Sequence, residues 1–423
     1  MKLIWCCVLL SAVILLAGCC CIKGEKKMFT DPNDFCGSDI EKIQSAVDAA
    51  RKNGSEVRIS ARKADDGRDF WLIDSAILLP SNTTLILDNC RIKLSDSCRD
   101  NMIRSANCGI GVEDVPVASN IRICGIGKAV LEGADNPRST GDGGKALYNT
   151  PGYKLRHSYG TDTGKAGKEQ KGDWRNIGIL LVNVQDFAIE NLEINDSHCW
   201  AISLEYCTRG SVKNLQFNSA GVKYINGEKF YTLNQDGLDL RRGCSYIDIE
   251  NISGATGDDL IALTALAAAV RKPGILNTTG MCGMKENMRD NDTHHIRIRN
   301  VTGHCAGGHH IVRLLNASGV RLYNIEIENL LDTSPADLRC HAAVKIGDSN
   351  PAWGGVTPLG DTYNIKVKNV VSKARAAILI GGSLVDSEIY QVVNLNPEAP
   401  AVVLQSGKEN IRNVVMKEIT DIK

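Results

Sequence analysis

One five-residue phrase recurs along this chain: aliphatic, x, aliphatic, x, asparagine. It stands at Leu85-x-Leu87-x-Asn89, Phe187-x-Ile189-x-Asn191, Ile247-x-Ile249-x-Asn251, Ile296-x-Ile298-x-Asn300, Val320-x-Leu322-x-Asn324 and Ile365-x-Val367-x-Asn369. Shorter copies, Val212-x-Asn214 and Ile411-x-Asn413, fill gaps in the series. The asparagines are separated by 23 residues (191 to 214), 24 (300 to 324), 45 (324 to 369) and 44 (369 to 413). Period-2 runs returning at such intervals predict a solenoid of β coils, in which each coil buries one set of aliphatic side chains and the next repeats it about 4.8 Å higher. An asparagine at the bend can bond its counterpart on the neighbouring coil, which satisfies a corner that has lost its ladder hydrogen bonds. The Leu-x-x-Leu-x-Leu spacing of a leucine-rich horseshoe is absent, and the spacing is too short and uneven for propeller blades. The expected architecture is all-β, a single-stranded right-handed parallel β-helix.

One helix interrupts this rhythm. Ser38-Asp39-Ile40-Glu41 is a capping box; Ile40, Ile43, Ala46, Val47 and Ala50 follow at helical spacing, and Gly54 marks the stop. A short helix there would cover the open N-terminal end of the solenoid against edge pairing. Residues 136–173 and 265–293 also break the pattern. They are rich in Gly, Lys, Asp and Asn and are expected to be loops projecting from the coils.

The first 21 residues place one Lys before an apolar run that is too short to span a bilayer. Leu16-Ala17-Gly18-Cys19 resembles the lipobox of bacterial lipoproteins, which implies a signal peptide over residues 1–18 and lipidation of Cys19. Residues 19–34 would then be a lipidated tether and 35–423 the catalytic domain. The expected location is the bacterial cell envelope, exported and lipid-anchored on the periplasmic or cell-surface face. Of 16 cysteines, five lie in this leader. The remaining odd number, with no Cys-x-x-Cys, reads as core filler, with a Cys199–Cys207 pair as the alternative. Lys+Arg and Asp+Glu are equal at 49 each, so no basic surplus points to nucleic acid as a partner.

The chemistry concentrates in Asn234-Gln235-Asp236-Gly237-Leu238-Asp239 and Gly257-Asp258-Asp259. Asp236 and Asp258 are 22 residues apart, about one coil, so stacking would bring three carboxyl groups to one face. Crowded carboxyls separate in pKa, one holding a proton while another stays ionised, as acid–base catalysis requires. Asp239 reads as a turn former rather than as a site residue. Trp200 could stack on a sugar or pack in the core. Gly125-Ile126-Gly127 is no phosphate loop, because no helix follows it. No His/Cys/Asp cluster has metal-ligand spacing, and neither a metal nor a cofactor is expected.

Together with Leu79-Pro80-Ser81-Asn82-Thr83-Thr84-Leu85, Ser197-His198-Cys199-Trp200-Ala201-Ile202, Gly308-His309 and Lys345, these motifs occur in the order found in glycoside hydrolase family 28, the polygalacturonases and their relatives. The resemblance runs from about Phe35 through most of the chain and implies the same right-handed parallel β-helix. It also implies Asp258 as general acid, with Asp236 and Asp259 holding and activating a water in an inverting hydrolysis. For that reaction the carboxyls are expected about 6.5–9.5 Å apart. Asn234 would bind substrate, His309 would tune the acid and contact substrate, and Lys345 would bind a sugar carboxylate. The sequence departs from the family in Ala343-Val344-Lys345, where an arginine is missing, in Gly308-His309-His310, and in Gly381-Gly382-Ser383, where a tyrosine is usual. Arg313 or Arg241 is a candidate replacement cation.

The expected substrate is a polysaccharide or oligosaccharide, with pectic or other uronate-containing chains as candidates. The two irregular segments would wall one end of the groove and favour exo action. A lyase or epimerase on the same scaffold and a non-catalytic surface glycan binder are the competing readings.

Overall fold

In the computed structural model, residues 29–422 are described except 65, 99, 110, 111, 113, 136–173, 226, 227, 233, 267–280 and 318. The expected signal peptide, Cys19, residues 19–28 of the expected tether, all of segment 136–173 and residues 267–280 of the second irregular segment therefore lie outside the described residues.

The chain winds into parallel coils that build two long sheets. In the first, the inward positions align from coil to coil: Ile189, Val212, Ile249, Ile298, Ile327, Val367, Ile389 and Met416 stand in one register column. Most of that column is fully buried in a single aliphatic core, while the intervening residues face outward, as in the alternating burial of Thr83–Asp88. The alternation read from the sequence is thus the inside and outside of the solenoid.

The bend asparagines form a ladder. Asn214 donates through Nδ2 to Asn191 Oδ1 at 2.8 Å, Asn251 to Asn214 at 2.8 Å, Asn300 to Asn251 at 3.0 Å, Asn329 to Asn300 at 2.9 Å and Asn369 to Asn329 at 2.7 Å. All sit at positive φ, between 54° and 61°, which asparagine tolerates better than most residues. Gly127 occupies the corresponding bend above Asn89; a Cβ there would lie 2.2 Å from Asn89 Oδ1.

Two copies of the repeat are shifted from where the sequence put them. Ile296 and Ile298 pair with Ile325 and Ile327, so the bend residue of that coil is Asn329 rather than Asn324. Asn324 instead belongs to a second ladder, at the other end of the strand, where it accepts from Asn364 at 2.5 Å and bonds His295 at 3.0 Å. Asn413 lies in that second ladder too, donating to Asp386 at 2.7 Å. After Asn369 the first bend passes to Gln391 and Glu418, again at positive φ. The interval of 44 residues from 369 to 413 therefore ran across a coil whose bend carries glutamine.

The second sheet carries the site. Its relevant strands are β1 (Ile202–Glu205), β2 (Leu238–Arg241), β3 (Ile261–Ala265), β4 (His310–Asn316) and β5 (Ala342–Ile346), all parallel and in this spatial order. At the N-terminal end α1 (Asp39–Asn53) buries Ile40, Ile43, Ala46, Val47 and Ala50 against the first coils. The Ser38 backbone N–H donates to Glu41 Oε2 at 2.8 Å, and Gly54 closes the helix at φ 71°. Residues 281–292 are described and pack against the sheet: Met281 and Cys282 donate backbone N–H groups to the buried Glu205 carboxylate at 2.6 and 3.2 Å. All eleven cysteines among the described residues are free thiols, so Cys199 and Cys207 do not pair. Most are buried, and the Cys207 thiol donates to the Leu181 carbonyl at 3.3 Å.

Candidate active site

Register explains why the motif residues meet. Leu238 pairs with Ile261 and Ile261 with Val312, so the residues two places earlier, Asp236, Asp259 and His310, stack at the corner leading into β2, β3 and β4. Backbone bonds fix that corner: Gly237 N–H donates to Asp259 O at 3.0 Å and Leu260 N–H to His310 O at 3.2 Å. Gln235 pins it from inside, accepting from Gly221 N–H at 2.8 Å and donating to Ser197 O at 2.7 Å. Gly257 is required there because a Cβ would lie 2.5 Å from both Gln235 Oε1 and Gly221 Cα.

Asp236, Asp258 and Asp259 each place a carboxylate oxygen within 4.8 Å of the other two. That is tighter than the acid–base separation of the inverting arrangement that the resemblance implied. The cause is geometric: Asp258 and Asp259 are chain neighbours, and Asp236 is one strand spacing away. Asp236 and Asp259 are buried, whereas the Asp258 side chain remains 19% exposed.

The environments divide the three acids. Burial and the neighbouring Asp259 carboxylate push the Asp258 carboxyl up to about 6. Burial, reinforced by Asp239, Asp258 and Asp259, raises Asp236 well above the usual carboxylate range. Asp259 is also buried, but His310 and Arg313 outweigh burial and hold it below that range. Its Oδ1 accepts from the His310 backbone N–H at 3.0 Å and from His310 Nδ1 at 2.8 Å, and its Oδ2 lies 3.6 Å from Arg313 Nη1. The exposed His309 stands over the acid, its Nδ1 3.5 Å from Asp258 Oδ1.

A cleft of about 580 Å³ opens on this corner, lined by the three aspartates together with Asn234, His309, Arg313 and Lys345. Every substrate-contact residue expected from the sequence therefore reaches one cavity. Trp200 also lines the cleft, but it is only 7% exposed and packs with Cys108, Trp174 and Leu180, as the packing reading expects. Arg241 lines the cleft over the Trp200 ring at 5.9 Å.

Three participants were not read from the sequence. Asp239 is no turn residue: it lies on β2 at 1% exposure, and neither carboxylate oxygen has a hydrogen-bond partner among the described residues. Its alternation with Leu238 and Leu240 would have placed it on the cleft face. His310, which the sequence marks only as a departure from Gly-His-Gly, anchors Asp259. Asp348, which follows β5, accepts from Lys345 Nζ at 2.7 Å and from Arg313 Nη2 at 3.1 Å. No motif marks it.

The trio is close enough to surround a divalent cation. The donor set opposes that use, because Asp259 already faces His310 and Arg313 and burial favours the neutral forms of Asp236 and Asp258.

Residues 133–311, which contain all three aspartates, match the model of glycosyl hydrolases family 28. That match supports a glycosidase. The fold agrees with known members of this β-helix class. A polygalacturonase from Erwinia carotovora ssp. carotovora superposes with a TM-score of 0.52 at 16% identity, over 92% of this chain and 94% of that one. The endo-xylogalacturonan hydrolase of Aspergillus tubingensis gives 0.50 at 13% identity, over 92% and 93%. Among curated proteins no sequence relative matches. The β-helix thus supplies the corner at which the three aspartates meet in the cleft.

Proposed function

We propose that the chain hydrolyses a polysaccharide or oligosaccharide with inversion, acting at chain ends or on short oligomers. The observation that carries this reading is the division of labour in the trio. Asp258, raised to about 6, can hold a proton and deliver it to the glycosidic oxygen. Asp259 stays ionised, and with Oδ1 engaged twice by His310 its Oδ2 is the acceptor left for a water proton. Asp236, kept neutral by burial, positions that water. A water donating to two oxygens about 2.7 Å away can bridge carboxylate oxygens that lie within 4.8 Å of each other.

The short spacing alone suits a retaining double displacement. Against that route, Asp259 is bound by His310 and faces Arg313, and Asp236 favours its neutral form, so neither is a free carboxylate nucleophile. Water is the better nucleophile, and inversion follows. Proton NMR of the first-formed anomer tests this, and a retained configuration overturns it. The cleft volume is that of a site enclosing a small ligand, which supports exo action. Early release of long products contradicts it.

A lyase would need an unpaired Lys or Arg as base, and Lys345 and Arg313 both face Asp348. We further propose export and anchoring through Cys19. Release of a Cys19→Ala variant into the soluble fraction supports this, and unchanged membrane retention overturns it.

A further inference from the structure

The resemblance to polygalacturonases assigns Lys345 to a sugar carboxylate, and Arg313 lies beside it on the same outward register column, with Asp239 two strands away. Here that role is already filled from within. Asp348 Oδ2 takes both cations, Lys345 Nζ at 2.7 Å and Arg313 Nη2 at 3.1 Å, while its Oδ1 accepts from Asn350 N–H at 2.9 Å. The carboxylate is therefore fixed by its own turn as well as by its partners. The side chains are 6% (Asp348), 9% (Lys345) and 13% (Arg313) exposed, so the contact is shielded from screening by solvent. The Arg313 guanidinium also lies over the Trp353 ring at 4.9 Å, which holds its orientation.

We propose that the cleft takes an uncharged sugar at the Lys345–Arg313 subsite, with Asp348 standing where a uronate carboxylate would otherwise bind. This rests on the hydrolase reading and names the substrate class for it. Among the cleft's aspartates, Asp348 is the one seated against both Lys345 and Arg313, so a uronate carboxylate arriving there meets a like charge at contact distance. To reach Lys345 and Arg313 it must displace an internal carboxylate that is already covalently positioned and desolvated. Sugar hydroxyls meet the reverse situation. They both donate and accept, and the buried Asp239 carboxyl, whose Oδ1 lies 3.9 Å from Arg241 Nη1, has no hydrogen-bond partner among the described residues.

The test is calorimetric titration of the full chain with trigalacturonate and with the same trimer fully methyl-esterified, which differ in charge at each ring. Wild type is expected to bind the ester more tightly than the acid. Asp348→Asn, which keeps the shape and removes the charge, is expected to raise affinity for the acid about tenfold or more, the worth of a hydrogen bond to a charged group. The ester should not share that gain. Wild type preferring the acid overturns the inference without any variant. Absence of a gain in Asp348→Asn overturns it as well. Neither arm needs turnover, so failure of the hydrolase reading, seen as no glycan cleaved, is a separate result.

Discussion

His310 grips Asp259 twice, through its backbone N–H at 3.0 Å and its ring Nδ1 at 2.8 Å, both on the same carboxylate oxygen. The two residues are 51 apart in sequence but stacked on consecutive coils, so the contact exists only once the solenoid has wound. Replacing the ring removes one of the groups that hold Asp259 ionised. For His310→Gln the acidic limb of kcat/KM should move to higher pH and kcat should fall tenfold or more, since hydrogen bonds to charged groups are worth about 1.5–3 kcal/mol. An unchanged acidic limb would show that Asp259 is held low by Arg313 alone.

The acid must carry its proton to work. With Asp258 at about 6, activity should be high below that value and decline as pH rises through it. A pH–rate profile checks the position of the basic limb. A profile still rising above pH 8 would remove Asp258 from the acid role.

Asp258→Asn should lower kcat by roughly 10²–10⁴ with little change in KM, the usual worth of general acid help. It should also stabilise the fold near neutrality. The native carboxyl titrates above its unfolded value, so the native state binds more protons and stability falls as pH rises from about 4 to about 6. Asparagine has no such loss, so the gain in Tm over wild type should be larger at pH 7 than at pH 4. An equal gain at both values contradicts the assignment.

The ladder is testable through Asn251, which sits at φ 57° and bonds Asn214 below and Asn300 above. Asn251→Ala loses both amide contacts and places a Cβ in the left-handed region with no compensation. A cost of about 1–3 kcal/mol in denaturant unfolding is expected. Asn251→Gly, free of the backbone penalty, should cost less.

The aspartate trio was legible in the sequence because its spacing equals one coil and the period-2 pattern fixes which side chains share a face. Asp348 was not, because what makes it important is its reach to Lys345 three residues back and Arg313 on the preceding coil, which no linear pattern encodes. Asp239 reads as a turn former by residue type alone, although its strand neighbours Leu238 and Leu240 are both fully buried. The slip from Asn329 to Asn324 has another cause. Val320-x-Leu322-x-Asn324 and Ile325-x-Ile327-x-Asn329 are the same phrase five residues apart, and both ends of the strand use asparagine at positive φ. Only pairing to the coil below distinguishes them.

The asparagine ladder keeps nearly constant bond lengths while the chain between its rungs varies widely, from 23 residues between Asn191 and Asn214 to 37 between Asn214 and Asn251 and 49 between Asn251 and Asn300. The two longest of these intervals contain the strands and corners that carry Asp236 and the Asp258–Asp259 doublet. Segments on the sugar-facing side can therefore be lengthened, trimmed or grafted between homologues without re-registering the spine. A scaffold of this kind lets specificity diversify by exchange of single turns while the scissile machinery stays in place.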